Sequence, residues 1–297
     1  MTEAMFTGAI TALITPMNRD GSLDLPAFDR LVEWQIAEGI SGLVPVGTTG
    51  ESPTLSHEEH HKIVERTVHV SAGRVPVIAG AGSNSTAEAV DLAKHAESAG
   101  ASAVLVVSPY YNKPTQEGLY RHFMAVADAI RIPVMLYNIP GRSVVDISVE
   151  TTARLAAHGN IVGVKDATAN LLRPLQVRRA VTNKHFNQLS GEDGTAVSFL
   201  AAGGDGCISV SSNIAPALCS RVQSLWREGH VKEAMALQDR LLPVHDAMFC
   251  ETSPGPVKYA ASLLGLAGET CRLPIVPVSN DTRATVRAAL TEAGLLG

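Results

Sequence analysis

What this 297-residue chain has little of narrows the field before any motif is read. Cysteine is scarce: Cys207, Cys219, Cys250 and Cys271 all lie in the last third and form no Cys-x-x-Cys pair. That speaks against a structural zinc site or a redox dithiol and for reduced, structural thiols. Positive charge is not in excess, since the formal net charge is -5 and the isoelectric point is near 6.1. With no basic run carrying interleaved aromatics, there is no electrostatic footprint for nucleic acid. No apolar run approaches the roughly 18 residues of a membrane span. The opening Met1-Thr2-Glu3-Ala4-Met5-Phe6 has no basic start followed by an apolar stretch, so a cytoplasmic protein is expected. No linker rich in proline, glycine or serine divides the chain. A small metabolite is the expected partner.

What is present is a large apolar fraction, 45% hydrophobic against 18% charged, enough for a well-filled core. Short apolar, β-rich runs recur at residues 9–14, 42–46, 75–79, 103–107, 133–137, 161–165, 186–190 and 206–210. Between and after them lie segments with helical apolar spacing, 25–38, 57–72, 85–98, 116–130, 148–157, 172–181, 195–202 and 216–228. Near-continuous apolar strands are buried on both faces, so the pattern predicts an α/β fold, a closed (β/α)8 TIM barrel, with a doubly wound open sheet as the alternative. Three further helices, 231–249, 256–264 and 281–293, suggest a C-terminal helical extension of residues 231–297 packed on a catalytic barrel of residues 1–230. In such barrels the chemistry sits at the carboxyl ends of the strands.

Among seven lysines, only Lys165 ends a β-branched apolar run, Ile161-Val162-Gly163-Val164-Lys165-Asp166. A strand interior excludes water and disfavours an ammonium, so an amine at such an address suits attack on a carbonyl carbon. The alternative is that Lys165 reaches solvent or pairs with Asp166. Other polar clusters fall at strand ends as well. Gly47-Thr48-Thr49-Gly50-Glu51 could converge amides and hydroxyls on a carboxylate. Tyr137 could pass protons if a hydroxyl such as that of Thr49 is in reach. Arg142, after a Pro-Gly turn, offers a planar fork for a carboxylate. Ser108-Pro109-Tyr110-Tyr111-Asn112 follows the fourth strand.

Two motifs point elsewhere. His57-Glu58-Glu59-His60-His61 satisfies the literal His-Glu-x-x-His zinc pattern, but Ser56 with Glu59 reads as a capping box and no third ligand is nominated. Gly80-Ala81-Gly82-Ser83-Asn84-Ser85 resembles a dinucleotide loop without its third glycine, after the third strand rather than the first. No metal and no cofactor is therefore expected.

Taken together, the Gly47–Glu51 cluster, Tyr110-Tyr111-Asn112, Tyr137-Asn138-Ile139-Pro140 with Arg142, and Gly163-Val164-Lys165-Asp166-Ala167-Thr168 resemble the dihydrodipicolinate synthase and N-acetylneuraminate lyase family of pyruvate-dependent class I aldolases. The resemblance spans essentially the whole chain. It implies that Lys165 forms an imine with pyruvate, that Thr48 and Thr49 hold the pyruvate carboxylate, and that Tyr137 relays protons with Thr49 and Tyr111. Gly191 and Ile208 match positions lining the pyruvate pocket. Arg142 matches the synthase branch, where it grips the carboxylate of aspartate semialdehyde, and argues against an N-acetylneuraminate lyase or a keto-deoxy sugar acid aldolase. The resemblance also implies a homotetramer built from two tight dimers, with Tyr111 reaching into a neighbouring subunit. Ser52, His57, His60, Asn84, Glu88 and Tyr110 match positions that bind L-lysine in feedback-inhibited members. Gly141 replaces a bulkier residue before the arginine, Asp166 stands where many members have glutamate, and Pro53 lies beside the implied lysine pocket. Two readings from other classes remain: a zinc hydrolase on His57 and His61, and a binding protein without catalysis.

Overall fold

The computed structural model describes residues 6–297. Strand and helix alternate: β1 (Gly8–Ala12) precedes α1 (Leu25–Ala37), β2 (Gly42–Val44) precedes α2 (His57–Ser71), β3 (Ile78–Gly80) precedes α3 (Thr86–Ser98), and β4 (Ala103–Val107) precedes α4 (Gln116–Ala129). β5 (Val134–Asn138) runs into a single turn, α5 (Pro140–Ser143), and then α6 (Val149–Leu155). β6 (Ile161–Asp166) precedes α7 (Arg173–Ala180), β7 (Asn187–Ser190) precedes α8 (Ala196–Ala201), and β8 (Gly206–Ser209) precedes α9 (Pro216–Arg227). Three helices follow, α10 (Val231–Ala247), α11 (Gly255–Leu263) and α12 (Asn280–Glu292).

All strand pairs are parallel, in the order β2-β1-β8-β7-β6-β5-β4-β3. A bridge from Leu43 to Val77 joins the two ends of that order and closes the barrel. An open doubly wound sheet has no such closing contact, and this distinguishes the two expected architectures. Alternation along each strand divides the apolar side chains between two cores. Ile10, Val44, Ile78, Leu105, Met135, Leu189 and Ile208 fill the barrel interior, while Ala9, Leu43, Val104, Val106, Leu136 and Val164 pack outward against helices.

The strands are displaced from their apolar runs where backbone chemistry overrides hydropathy. β1 ends at Ala12, although Leu13 and Ile14 remain buried. β2 stops at Val44 because the chain turns at Val46, which has a positive φ of 48°. β3 starts at Ile78 rather than at residue 75, beyond Pro76, which has no N–H to donate to a ladder. Helix starts are sharper because they are written in side chains. Ser56 accepts from the Glu59 amide while Glu59 reaches back to the Ser56 amide, the capping box expected for α2. The C-terminal helices wrap one flank: α10 packs on α9 and α12, and α11 packs on α12. No helix among the described residues is long and apolar enough to cross a membrane.

Candidate active site

Lys165 lies one residue before the carboxyl end of β6, paired in register with Tyr137 on β5 and Leu189 on β7. It is 5% exposed, so it does not snorkel to solvent. It does not take Asp166 as its partner either. Asp166 is held by Arg173 Nε at 2.8 Å and accepts from the Thr168 amide at 3.0 Å and its hydroxyl at 2.5 Å. Asn138 Nδ2 donates to Asp146 at 2.7 Å, and Arg173 Nη1 sits 3.0 Å from Asp146. This network, buried at Asn138, Asp166 and Arg173 and reaching the surface at Asp146, ties the ends of β5 and β6 together and leaves the amine facing inward. The Lys165 Nζ stands 4.2 Å from the centre of the Tyr137 ring, over its face.

A cavity of about 230 Å³ opens at the carboxyl ends of the strands; Lys165 is not part of its lining and borders it through Tyr137, whose ring lies against the amine. Its wall includes Thr48 after β2, Leu105 and Val107 on β4, Tyr137 on β5, and Arg142 on α5. Thr49 is buried beside Thr48, and Ile208 belongs to the same interior core as Tyr137. Gly191 follows β7 where a Cβ would fall 3.0 Å from Lys165 Cε and 2.8 Å from Ala167 Cβ, so only glycine leaves the lysine its room. Arg142 is exposed at the cavity mouth, with Nη2 3.4 Å from the Ser253 carbonyl. Tyr111 is not gathered with the others. It is 88% exposed and held at a φ of 71°, a strained backbone for a residue other than glycine.

A second cavity, of about 290 Å³, backs onto the first and shares Ser52, Pro53, Gly82 and Tyr110 with it. His57, His60 and Glu88 line its far side. His57 Nε2 is 2.7 Å from Glu88 Oε1, and the Ser83 hydroxyl donates to Oε2 of the same carboxylate. The Ser83 hydrogen bond, and then His57, hold Glu88 below the usual glutamate range. Burial, reinforced by the neighbouring His61, pushes His60 down to about 4, and its Nδ1 has no hydrogen-bond partner. Burial, and secondarily the Glu88 charge, raises Tyr110. Asn84 does not line this cavity. It bears on it through its backbone, which hydrogen-bonds Tyr110 and accepts from Asn112 Nδ2 at 2.8 Å.

The His-Glu-x-x-His pattern is spent on other contacts. His57 is engaged with Glu88, whereas His61 stacks on His95 with ring centres 3.7 Å apart. Among the described residues, no group of three or more His, Cys, Asp or Glu side chains is arranged to hold a metal ion. The four cysteines are free thiols, and burial raises Cys207 and Cys219 far above the thiol range.

Sequence reasoning overlooked two buried cations, Lys258 and Arg173, and the buried carboxylate of Asp193. Lys258 on α11 is fully buried, 2.6 Å from Glu51 of the threonine loop. Arg173 is buried against Asp166. Both cations lie on helices whose apolar spacing gave no hint of a buried charge, and only their partners, distant in sequence, mark them.

Comparison with known proteins bears on the same arrangement. Residues 5–293 match the model of the dihydrodipicolinate synthetase family. A 4-hydroxy-tetrahydrodipicolinate synthase of Gluconacetobacter diazotrophicus is 73% identical over 296 residues, covering 100% of both chains. Among solved structures, a chloride-inhibited dihydrodipicolinate synthase from Acinetobacter baumannii, complexed with pyruvate, superposes with a TM-score of 0.96 at 44% identity, covering 98% of this chain and 100% of that one. The enzyme of Cyanidioschyzon merolae with lysine bound gives 0.95 at 36% identity, covering 99% and 100%. Because the likeness runs through barrel and C-terminal helices alike, the chain belongs to the dihydrodipicolinate synthetase family.

Proposed function

We propose that the chain condenses pyruvate with L-aspartate 4-semialdehyde to 4-hydroxy-tetrahydrodipicolinate, in the diaminopimelate route to L-lysine, through an imine on Lys165. The observation that carries this reading is a buried amine near the end of β6, set against the ring of Tyr137, which lines a cavity together with Thr48 and Arg142. The Lys165 nitrogen adds to the pyruvate carbonyl carbon, and the oxygen leaves as water. The imine then draws electrons from the adjacent methyl group, which loses a proton and becomes an enamine. That carbon bonds to the aldehyde carbon, whose oxygen takes a proton. The semialdehyde's own amine next attacks the imine carbon, closes the ring and releases Lys165. Thr48 and Thr49 hold the pyruvate carboxylate, with Gly191 and Ile208 lining its pocket. Arg142 grips the carboxylate of the semialdehyde, and Tyr137 passes protons with Thr49 and Tyr111. The relative that binds pyruvate at 44% identity supports the first substrate.

Incubation with pyruvate and borohydride, followed by peptide mapping, is expected to place the reduced adduct on Lys165, and Lys165→Ala is expected to abolish both adduct and turnover. An adduct on another side chain, or full turnover by that variant, would overturn the assignment. Turnover with aspartate semialdehyde but not with N-acetylmannosamine is the expected outcome for the synthase branch.

Residues 1–230 form the catalytic barrel in this reading and residues 231–297 its helical extension, in a cytoplasmic homotetramer of two tight dimers. The exposed, strained Tyr111 supports such an assembly, because its side chain stands free at the surface, where a neighbouring subunit's site can receive it. The second cavity is the L-lysine site, where Glu88 faces the ligand's amines with Ser52, His57, His60, Asn84 and Tyr110 around it. The lysine-bound relative at 36% identity supports this. Titration with L-lysine is expected to inhibit at millimolar levels or below, and Glu88→Gln to weaken that inhibition at least tenfold. No effect of L-lysine on the parent chain would remove the claim.

A further inference from the structure

The threonine loop is locked from outside the barrel by one ion pair. Glu51 closes the turn Gly47-Thr48-Thr49-Gly50-Glu51 in the left-handed region, at a φ of 56°. Its amide donates back to the Thr48 carbonyl at 3.2 Å, and the Gly50 amide donates to the Gly47 carbonyl at 3.1 Å. A residue other than glycine holds such a backbone only when its surroundings over-determine it. Here both carboxylate oxygens of Glu51 are taken. Lys258 Nζ donates to Oε1 at 2.6 Å, and the Arg272 amide donates to Oε2 at 2.9 Å.

Lys258 is 0% exposed and also donates to the Thr15 carbonyl at 2.9 Å, while the Thr15 hydroxyl donates to the Gly50 carbonyl at 2.8 Å. Its ammonium thus holds the Gly50–Glu51 end of the turn twice, directly through the Glu51 carboxylate and indirectly through Thr15. Arg272 extends the grip, since its guanidinium reaches the Thr54 carbonyl at 2.6 Å and the Glu59 carboxylate at 2.6 and 2.5 Å.

A lone charge in a dry interior is costly, and replacement of a buried pair by apolar groups is often neutral for stability. Stability therefore does not account for placing this pair beneath the threonines. We infer that Lys258, acting through Glu51, is a positioning residue that sets the Thr48 and Thr49 hydroxyls for the substrate carboxylate. This rests on the reading above that those hydroxyls receive pyruvate. Lys258 touches no substrate; it fixes the backbone that presents the two side chains, and a displacement of about 1 Å in such a group can cost on the order of 100-fold in rate.

Lys258→Met alone strands the Glu51 charge and can fail to fold, so the decisive chain is the double variant Glu51→Gln with Lys258→Met, which strands none. Its pyruvate KM is expected to rise by about tenfold or more, with the KM for aspartate semialdehyde within about twofold of the parent and the thermal transition still cooperative. Borohydride trapping is expected to need correspondingly more pyruvate for the same adduct yield. A pyruvate KM within about twofold of the parent would overturn the inference, whether or not the melting temperature falls, because a merely structural pair moves Tm alone. The parent chain in the same trapping assay keeps the two claims apart. A parent that forms no adduct sinks the pyruvate reading and this inference with it, whereas a parent and a double variant that trap equally well sink the inference only.

Discussion

At the scale of single residues, the site depends on which side chains are kept away from Lys165 as much as on which are brought to it. Arg173 and Thr168 occupy Asp166, so the amine has no carboxylate partner beside it in sequence. Gly191 leaves the space that the lysine stem fills. Gly191→Ala sets its methyl 2.8 Å from Ala167 Cβ and 3.0 Å from Lys165 Cε, so the Ala167 backbone has to shift and the flexible lysine stem is displaced with it. We expect adduct formation with pyruvate to fall by roughly 10- to 100-fold, while denaturant melts show a loss no larger than the 1–3 kcal/mol typical of core overpacking. Parent-like trapping by this variant would remove Gly191 from the pocket.

At the scale of elements, the helix starts were legible and the strand limits less so. The Ser56 and Glu59 capping box that begins α2 is a side-chain signal readable from four residues, and the structure forms it. Ser56→Ala is expected to cost about 1 kcal/mol, seen as a midpoint shift in urea with an unchanged slope. A strand ladder, by contrast, depends on where its neighbour's amides lie. The apolar run at residues 75–79 therefore predicted β3 three residues early, because Pro76 has no N–H to donate. The one-turn α5 that carries Arg142 was hidden for a related reason. Pro140 and Gly141 read as a turn, and the helical hydrogen bonds from Ser143 to Ile139 and from Val144 to Pro140 exist only once β5 has fixed the chain entering it.

At the scale of the whole molecule, buried neutral histidines couple folding to acid. Burial lowers both His60 and His122 to about 4, from an ordinary value of 6.5. Above pH 6.5 neither folded nor unfolded chain is protonated at these positions, and they leave stability unaffected. Between pH 6.5 and about 4 the unfolded chain binds protons that the folded chain refuses, so unfolding free energy falls as pH falls. Each histidine accounts for about 3 kcal/mol across that window, a large part of the 5–15 kcal/mol typical of a domain. Urea unfolding at a series of pH values should show this slope, and His122→Leu should make it shallower, with His60, His61 and His245, all lowered by burial, keeping the remainder. A parent stability that is flat from pH 6.5 to 4.5 would contradict the burial argument.

Local chemistry determined what could be read from the order of residues: the eight βα units, the helix caps, and the polar clusters at strand ends, because periodicity and turn composition are properties of neighbours in the chain. Tertiary structure alone decided which clusters share a cavity, why Asp166 is not Lys165's partner, and that Lys258 reaches 207 positions back to Glu51. A buried charge is tolerable only beside its counter-charge, and that partner is named by the closure of the barrel and the docking of α11, to which no local pattern refers.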